Sequence, residues 1–189
     1  MNDRNTVRNL TFLGMMTALV FAGNFARIVI PVPVGGVPSF TLANILCALS
    51  GLLLGPAGGL ASGLGSALYD LTNPLWAPEC WITFLTKGAL GLGAGLMVRA
   101  GRRHDGAVPA GYGRYLAGAV AGCLAYYALY YLKAYYYNGI LLGGLQPEAA
   151  LLTLAALIPA SLFNSAVAIA AAPPLAVAIR VAMKNAGLW

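Results

Sequence analysis

The 189 residues are 60% hydrophobic and only 8% charged, against about a quarter charged in soluble globular proteins. That balance excludes a water-soluble enzyme or regulator and defines an integral membrane protein. The net charge of +6 does not point to nucleic acid, because most basic residues sit in short segments between apolar runs, as in cytoplasmic loops.

In chain order, the polar start carries Arg4 and Arg8, and residues 10–30 are long enough for a first span. That apolar run is too long for the core of a cleavable signal peptide, and no A-x-A-like site follows it. The uncharged loop Pro31-Val-Pro33-Val-Gly35-Gly36-Val-Pro38 leads to a short second span, 40–54. Gly55-Pro56 then suits a helix C-cap followed by the first turn of another helix, so 56–73 forms the third span of a tight hairpin. Two small-residue stripes run through this third span at i, i+4 spacing. Gly55, Gly59, Gly63 and Ala67 suit close helix packing. Gly58, Ser62, Ser66 and Asp70 end on an acid that needs a partner or water. The fourth span is 81–98. After the basic segment Arg99 to His104 and a Gly-rich link comes the fifth, 115–137. A helix over 148–184 would be about 55 Å long, nearly twice the hydrocarbon thickness. Pro159 fits a first helical turn, so the sixth span is expected at 159–183, with residues 148–157 as a short outer helix and a kink at Pro173-Pro174.

These segments predict an all-α six-helix membrane bundle in a single domain covering 1–189. Arg4, Arg8, Arg99, Arg102, Arg103, Arg114, Arg180 and Lys184 all fall on one side, whereas the loops at 31–39, 74–80 and 139–158 hold no Lys or Arg. Both termini are therefore expected to be cytoplasmic. Cys47, Cys80 and Cys123 are scattered, so neither a metal site nor a disulfide framework is indicated.

Arg27, Lys87 and Lys133 remain, and all three are expected inside spans, in the outer half. Intramembrane cations mark functional sites by default; snorkelling is the alternative, harder for Lys87 than for the other two. On the first helix Ala18 and Ala22 share one face, with Asn24 and Arg27 roughly opposite. Tyr126, Tyr130, Lys133 and Tyr137 share a face of the fifth, and Glu79, Thr83 and Lys87 share one at the start of the fourth, with Trp81 at its outer end. Asn44 and Asn164 lie at similar depth. The expected substrate-binding set is thus Asn24, Arg27, Asn44, Asp70, Glu79, Trp81, Lys87, Tyr126, Tyr130, Lys133, Tyr137 and Asn164, around an outward-open pocket for a small molecule. Stacking against the tyrosines suits a heterocycle. Three cations against Asp70 and Glu79 suit an anionic, carboxylate-bearing ligand. Which cation meets the ligand is left open.

Six helices in this length, the A-x-x-x-A of Ala18 and Ala22, the hairpin LLLGPAGGLASGLGSALYDL and the later Ile158-Pro159…Asn164 resemble the substrate-binding S component of energy-coupling factor (ECF) vitamin transporters, over nearly the whole chain. The resemblance implies a subunit of the bacterial cytoplasmic membrane that binds a water-soluble vitamin in its outer half. It also implies association with a membrane coupling subunit, met by Ala18 and Ala22, and with two ATP-binding-cassette ATPases. The chain has no Walker motif, so ATP hydrolysis falls to those partners and no cofactor of its own is expected. The only histidine, His104, is in a cytoplasmic loop, unlike the outer histidine of thiamine binders, and the N-terminal histidine of nickel and cobalt binders is absent. A vitamin of the folate, pantothenate or nicotinate sort is expected. The competing readings are an intramembrane lipid-modifying enzyme and a small membrane scaffold; no D-x-x-D, H-E-x-x-H or G-x-S-x-G supports the enzyme, and no catalytic residue is assigned.

Overall fold

The computed structural model describes residues 3–29, 39–100 and 111–187. Six α-helices make up almost all of it: α1 (Asp3–Phe25), α2 (Ala43–Leu54), α3 (Gly58–Leu71), α4 (Cys80–Ala100), α5 (Tyr112–Leu132) and α6 (Pro147–Asn185). Five apolar stretches among the described residues are long enough to cross a membrane; α2 and α3 together form one of them.

The α2–α3 hairpin is the centre of the bundle. Gly55 adopts φ +66°, a conformation costly for any residue with a Cβ, and Pro56 starts the short 3₁₀ turn Gly55–Ala57. The chain reverses there: Ser50 Oγ lies 2.7 Å from Ser62 Oγ, and the Ser62 hydroxyl donates to the Cys47 carbonyl. At 12 and 14 residues, the two helices are about 18 and 21 Å long, each shorter than a hydrocarbon core. Nine of the twelve residues of α2 are buried, so it is a core helix surrounded by the others.

The glycine stripes do what packing requires. A Cβ on Gly59 would stand 3.0 Å from the Gly88 carbonyl oxygen of α4, and one on Gly63 would stand 2.8 Å from the Phe84 carbonyl; Gly51 of α2, outside the stripes, is as tightly placed, 2.2 Å from the Gly91 carbonyl oxygen. Between helices in lipid, contact at this distance supplies the dispersion energy that water-driven burial cannot. The second stripe faces inward: Ser62, Ser66 and Asp70 are all buried.

The elements depart from expectation at four places. Arg27 is not on the first helix; α1 ends at Phe25 and Arg27–Val29 forms strand β1. It pairs antiparallel with β2 (Ser39–Thr41), in the register Arg27↔Thr41 and Val29↔Ser39. The β-branched Ile28 and Thr41 favour this pairing, and α2 starts only at Ala43. The fifth helix runs past Tyr137: Lys133–Leu142 continues α5 as a π-helix. Most clearly, α6 is one 39-residue helix with Pro159, Pro173 and Pro174 inside it, so the expected start at Pro159 and the separate helix over 148–157 are not formed. A proline removes only its own N–H from the ladder, and neighbouring helices offset that loss in membrane bundles. At about 58 Å, α6 is longer than one bilayer core.

At the other end of the hairpin, Arg180 of α6 donates to the Leu52 and Leu53 carbonyls at 3.0 and 3.3 Å. These are C-terminal carbonyls of α2, where a cation also complements the helix dipole.

Candidate functional site

Three helices bring Lys87, Asn44 and Tyr126 together. Lys87 lies two turns into α4 and is 6% exposed. Its ammonium donates to Asn44 Oδ1 of α2 and sits 4.5 Å from the Tyr126 ring centroid of α5. Tyr126 stacks on Tyr130 at 5.7 Å, and Tyr127 meets both edge-on. One cation therefore rests on a neutral amide and a π-face rather than on a carboxylate. This side chain is too deep to snorkel along its own helix, and its two contacts are what keep a buried ammonium solvated.

A cavity of about 30 Å³ opens beside this group, lined by Asn44, Tyr126, Tyr127, Tyr130, Thr41 and Asn164 among others. It is room for roughly one water. Its wall toward β2 is tied by Asn164 of α6, whose Nδ2 donates to the Ser39 carbonyl at 2.7 Å and whose Oδ1 accepts from the Thr41 N–H at 3.4 Å. Asn164 thus both lines the cavity and holds the strand that closes it.

The other two cations expected inside spans, Lys133 and Arg27, form separate groups, and Arg27 lies beyond the first apolar stretch, Thr6–Phe25. Lys133 pairs with Glu79. Arg27 lies over Trp76 at 4.3 Å and Tyr69 at 5.2 Å, close enough to act electrostatically on Asp70. Asn24 donates to Val20 O and to Ser66 Oγ. Two buried atoms here, Asn24 Oδ1 and Arg27 Nε, have no hydrogen-bond partner among the described residues; buried polar atoms of this kind are normally satisfied by protein groups, water or ligand.

Of the expected residues, the structure groups Asn44, Tyr126, Tyr130 and Asn164 around one cavity, with Lys87 held against two of them, Asn44 and Tyr126. Asp70, Arg27 and Asn24 lie on the α1–α3 side, and Glu79 with Lys133 on the α4–α5 side. Trp81 stands apart, 56% exposed and edge-on to Tyr137 at 6.3 Å. Thr41, Ser39 and Tyr127 were missed as cavity residues. Ser39 reads as a loop position and Thr41 as the start of the second span, and only the β1–β2 pairing brings them to the cavity; the tyrosine run 126–131 was visible, but not which rings face in. Ser66, on the stripe that ends at Asp70, joins Asn24 to Cys47, 3.8 Å from its Sγ. On α1, Ala18 and Ala22 are exposed while Asn24 is buried, so the small-residue face is open to the surroundings.

A bundle of long apolar helices around a buried polar and aromatic cluster is the architecture of a membrane-embedded substrate-binding protein. Residues 4–181 match the family of the ECF-type riboflavin transporter S component, and the chain belongs to that family. It is a transmembrane, substrate-binding transport component rather than a member of an enzyme family, and the family implies work with an ECF coupling subunit and ATPases. No curated protein matches the chain.

Proposed function

We propose that this chain captures a flavin, riboflavin in the first instance, in the outer half of a six-span bundle with both termini cytoplasmic, and hands it to the coupling subunit of an ATP-driven importer in the bacterial cytoplasmic membrane. One observation carries the substrate reading. Lys87 and Asn44 stand beside the stacked faces of Tyr126 and Tyr130. An isoalloxazine ring needs that combination: aromatic faces for its plane, and donors and acceptors for its uracil-like edge. A lysine donor serves a ring carbonyl as well as a carboxylate, so the carboxylate-bearing vitamin expected from charge alone is not required. Glu79 neutralises Lys133, and Asp70 lies within the field of Arg27.

A flavin needs several hundred Å³, so binding parts the walls of the small cavity. The β1–β2 hairpin, held by Asn164, is the element that yields and closes again over the ligand. Docking then uses the exposed Ala18–Ala22 face of α1, turned away from Asn24. All of 1–189 acts as one membrane domain in this reading.

Titration of the purified chain with riboflavin, followed by quenching of flavin fluorescence, tests the substrate. Saturation at one flavin per chain is expected, with nicotinate and pantothenate unable to compete. Competition by either acid without flavin quenching would return the carboxylate reading. Topology is tested separately by single cysteines at positions 104 and 145 in a chain freed of Cys47, Cys80 and Cys123. Labelling from the same side would overturn the six-span arrangement.

A further inference from the structure

Among the described residues no carboxylate pairs with the buried ammonium of Lys87. The whole chain has five acids, and four of them are engaged or distant. Glu79 is taken by Lys133. Glu148, in the first turn of α6, is exposed. Asp3 opens α1, about 30 Å along that helix from Asn24, and Asp105 follows Ala100, about 20 Å along α4 from Lys87. Residues 30–38, outside the described set, hold no acid. Asp70 remains: its field reaches Lys87, but Arg27 acts on the same ammonium with the opposite sign and more strongly. The other polar neighbours are neutral, namely the Asn44 amide, the Cys47 and Cys123 thiols and the Tyr126 ring.

A neutral ligand leaves this charge uncompensated, whereas an anion set against it gains a hydrogen bond charged at both ends in a site of low dielectric. Oxidised riboflavin is neutral. Uptake of two electrons, with one proton at N5, turns it into the reduced anion, whose charge lies over N1 and the C2 carbonyl. A second proton, at N1, gives the neutral reduced form. The uracil-like edge that faces Lys87 is thus the part of the flavin whose charge changes on reduction, and charge near N1 is a lever by which proteins tune flavins. Tyr126 and Tyr130 offer their faces to the ring plane in either redox state.

We propose that the site prefers the anion of reduced flavin to oxidised riboflavin, and that Lys87, set against N1 and the C2 carbonyl, determines the preference. This rests on the flavin reading above. The protein supplies no electrons; a soluble low-potential donor outside it reduces the flavin. A close buried charge pair contributes at least about ten-fold in affinity. For a two-electron couple, tighter binding of the reduced form by that factor raises the potential of bound flavin by about 30 mV.

Riboflavin bound to the full chain in detergent is titrated anaerobically with dithionite beside a dye of known potential, with free riboflavin in the same buffer as reference. The bound flavin should sit about 30 mV above the free one. On the acid side of the free flavin's N1 pKa, free flavin takes up two protons and its potential should fall by about 60 mV per pH unit; bound flavin should take up one and fall by about 30 mV. Lys87→Arg should keep most of the rise, and Lys87→Met should abolish it. A parent whose bound flavin shows no rise, a two-proton slope on the bound flavin, or an undiminished rise in Lys87→Met would each overturn the proposal. Potential and slope are read on the unaltered chain, so they decide even where a variant does not fold. If neither oxidised nor reduced flavin binds, the flavin reading falls and the preference with it. Equal binding of both states removes the preference alone.

Discussion

Replacing Lys87 by Met isolates the contribution of the ammonium, because the unbranched side chain keeps most of the apolar stem. Two contacts are lost: the charge-assisted hydrogen bond to Asn44 Oδ1 and the cation–π contact at 4.5 Å over Tyr126. Hydrogen bonds to charged groups contribute about 1.5–3 kcal/mol, and a desolvated cation–π contact about 2 kcal/mol. Against this, removing an ammonium that is 6% exposed relieves a desolvation cost of several kcal/mol. The two nearly cancel, so the thermal midpoint in detergent should move little. Ligand binding has no such offset. If Lys87 donates to the flavin edge, Lys87→Met should weaken riboflavin binding by about 2 kcal/mol, or roughly thirty-fold. Fluorescence-quenching titrations on parent and variant at matched unfolding midpoints provide the assay. Equal affinities would refute the reasoning and leave the lysine as a structural cation of the α2–α4–α5 contact.

Three further outcomes are expected. Ala18→Trp with Ala22→Trp should abolish transport by the assembled complex while riboflavin affinity of the isolated chain stays within about two-fold; equal loss of both would join faces that α1 keeps apart. Gly51→Ala places a Cβ 2.2 Å from the Gly91 carbonyl oxygen, and overpacking of this kind should lower stability by about 1–3 kcal/mol, read as a reduced unfolding midpoint. Asn164→Ala removes both bonds to β2. Amide exchange at residues 39–41 should then rise while α2–α4 stay protected, and flavin dissociation should speed up more than association; unchanged exchange would refute the tie.

The sequence by itself determined the class of protein. Apolar run lengths are local properties, and one polar face against one small face on α1 follows from helical periodicity alone, which is why the exposure of Ala18 and Ala22 and the burial of Asn24 were legible. The Gly55-Pro56 reversal was legible for the same reason, since only a left-handed glycine and a helix-starting proline are needed to write it. Tertiary structure decided which charge meets which partner. Lys87 and Asn44 are 43 residues apart, and Asn164 reaches β2 across 123 and 125; no spacing rule connects such positions. Arg27 left the first helix because strand pairing with Thr41 was available. Pro159 did not break α6, as neighbouring groups in membrane bundles re-satisfy the backbone that a proline leaves unpaired. Arg180, legible only as a cytoplasmic charge, became the cap of α2 once the close packing of the glycine-rich hairpin brought that helix end within its reach.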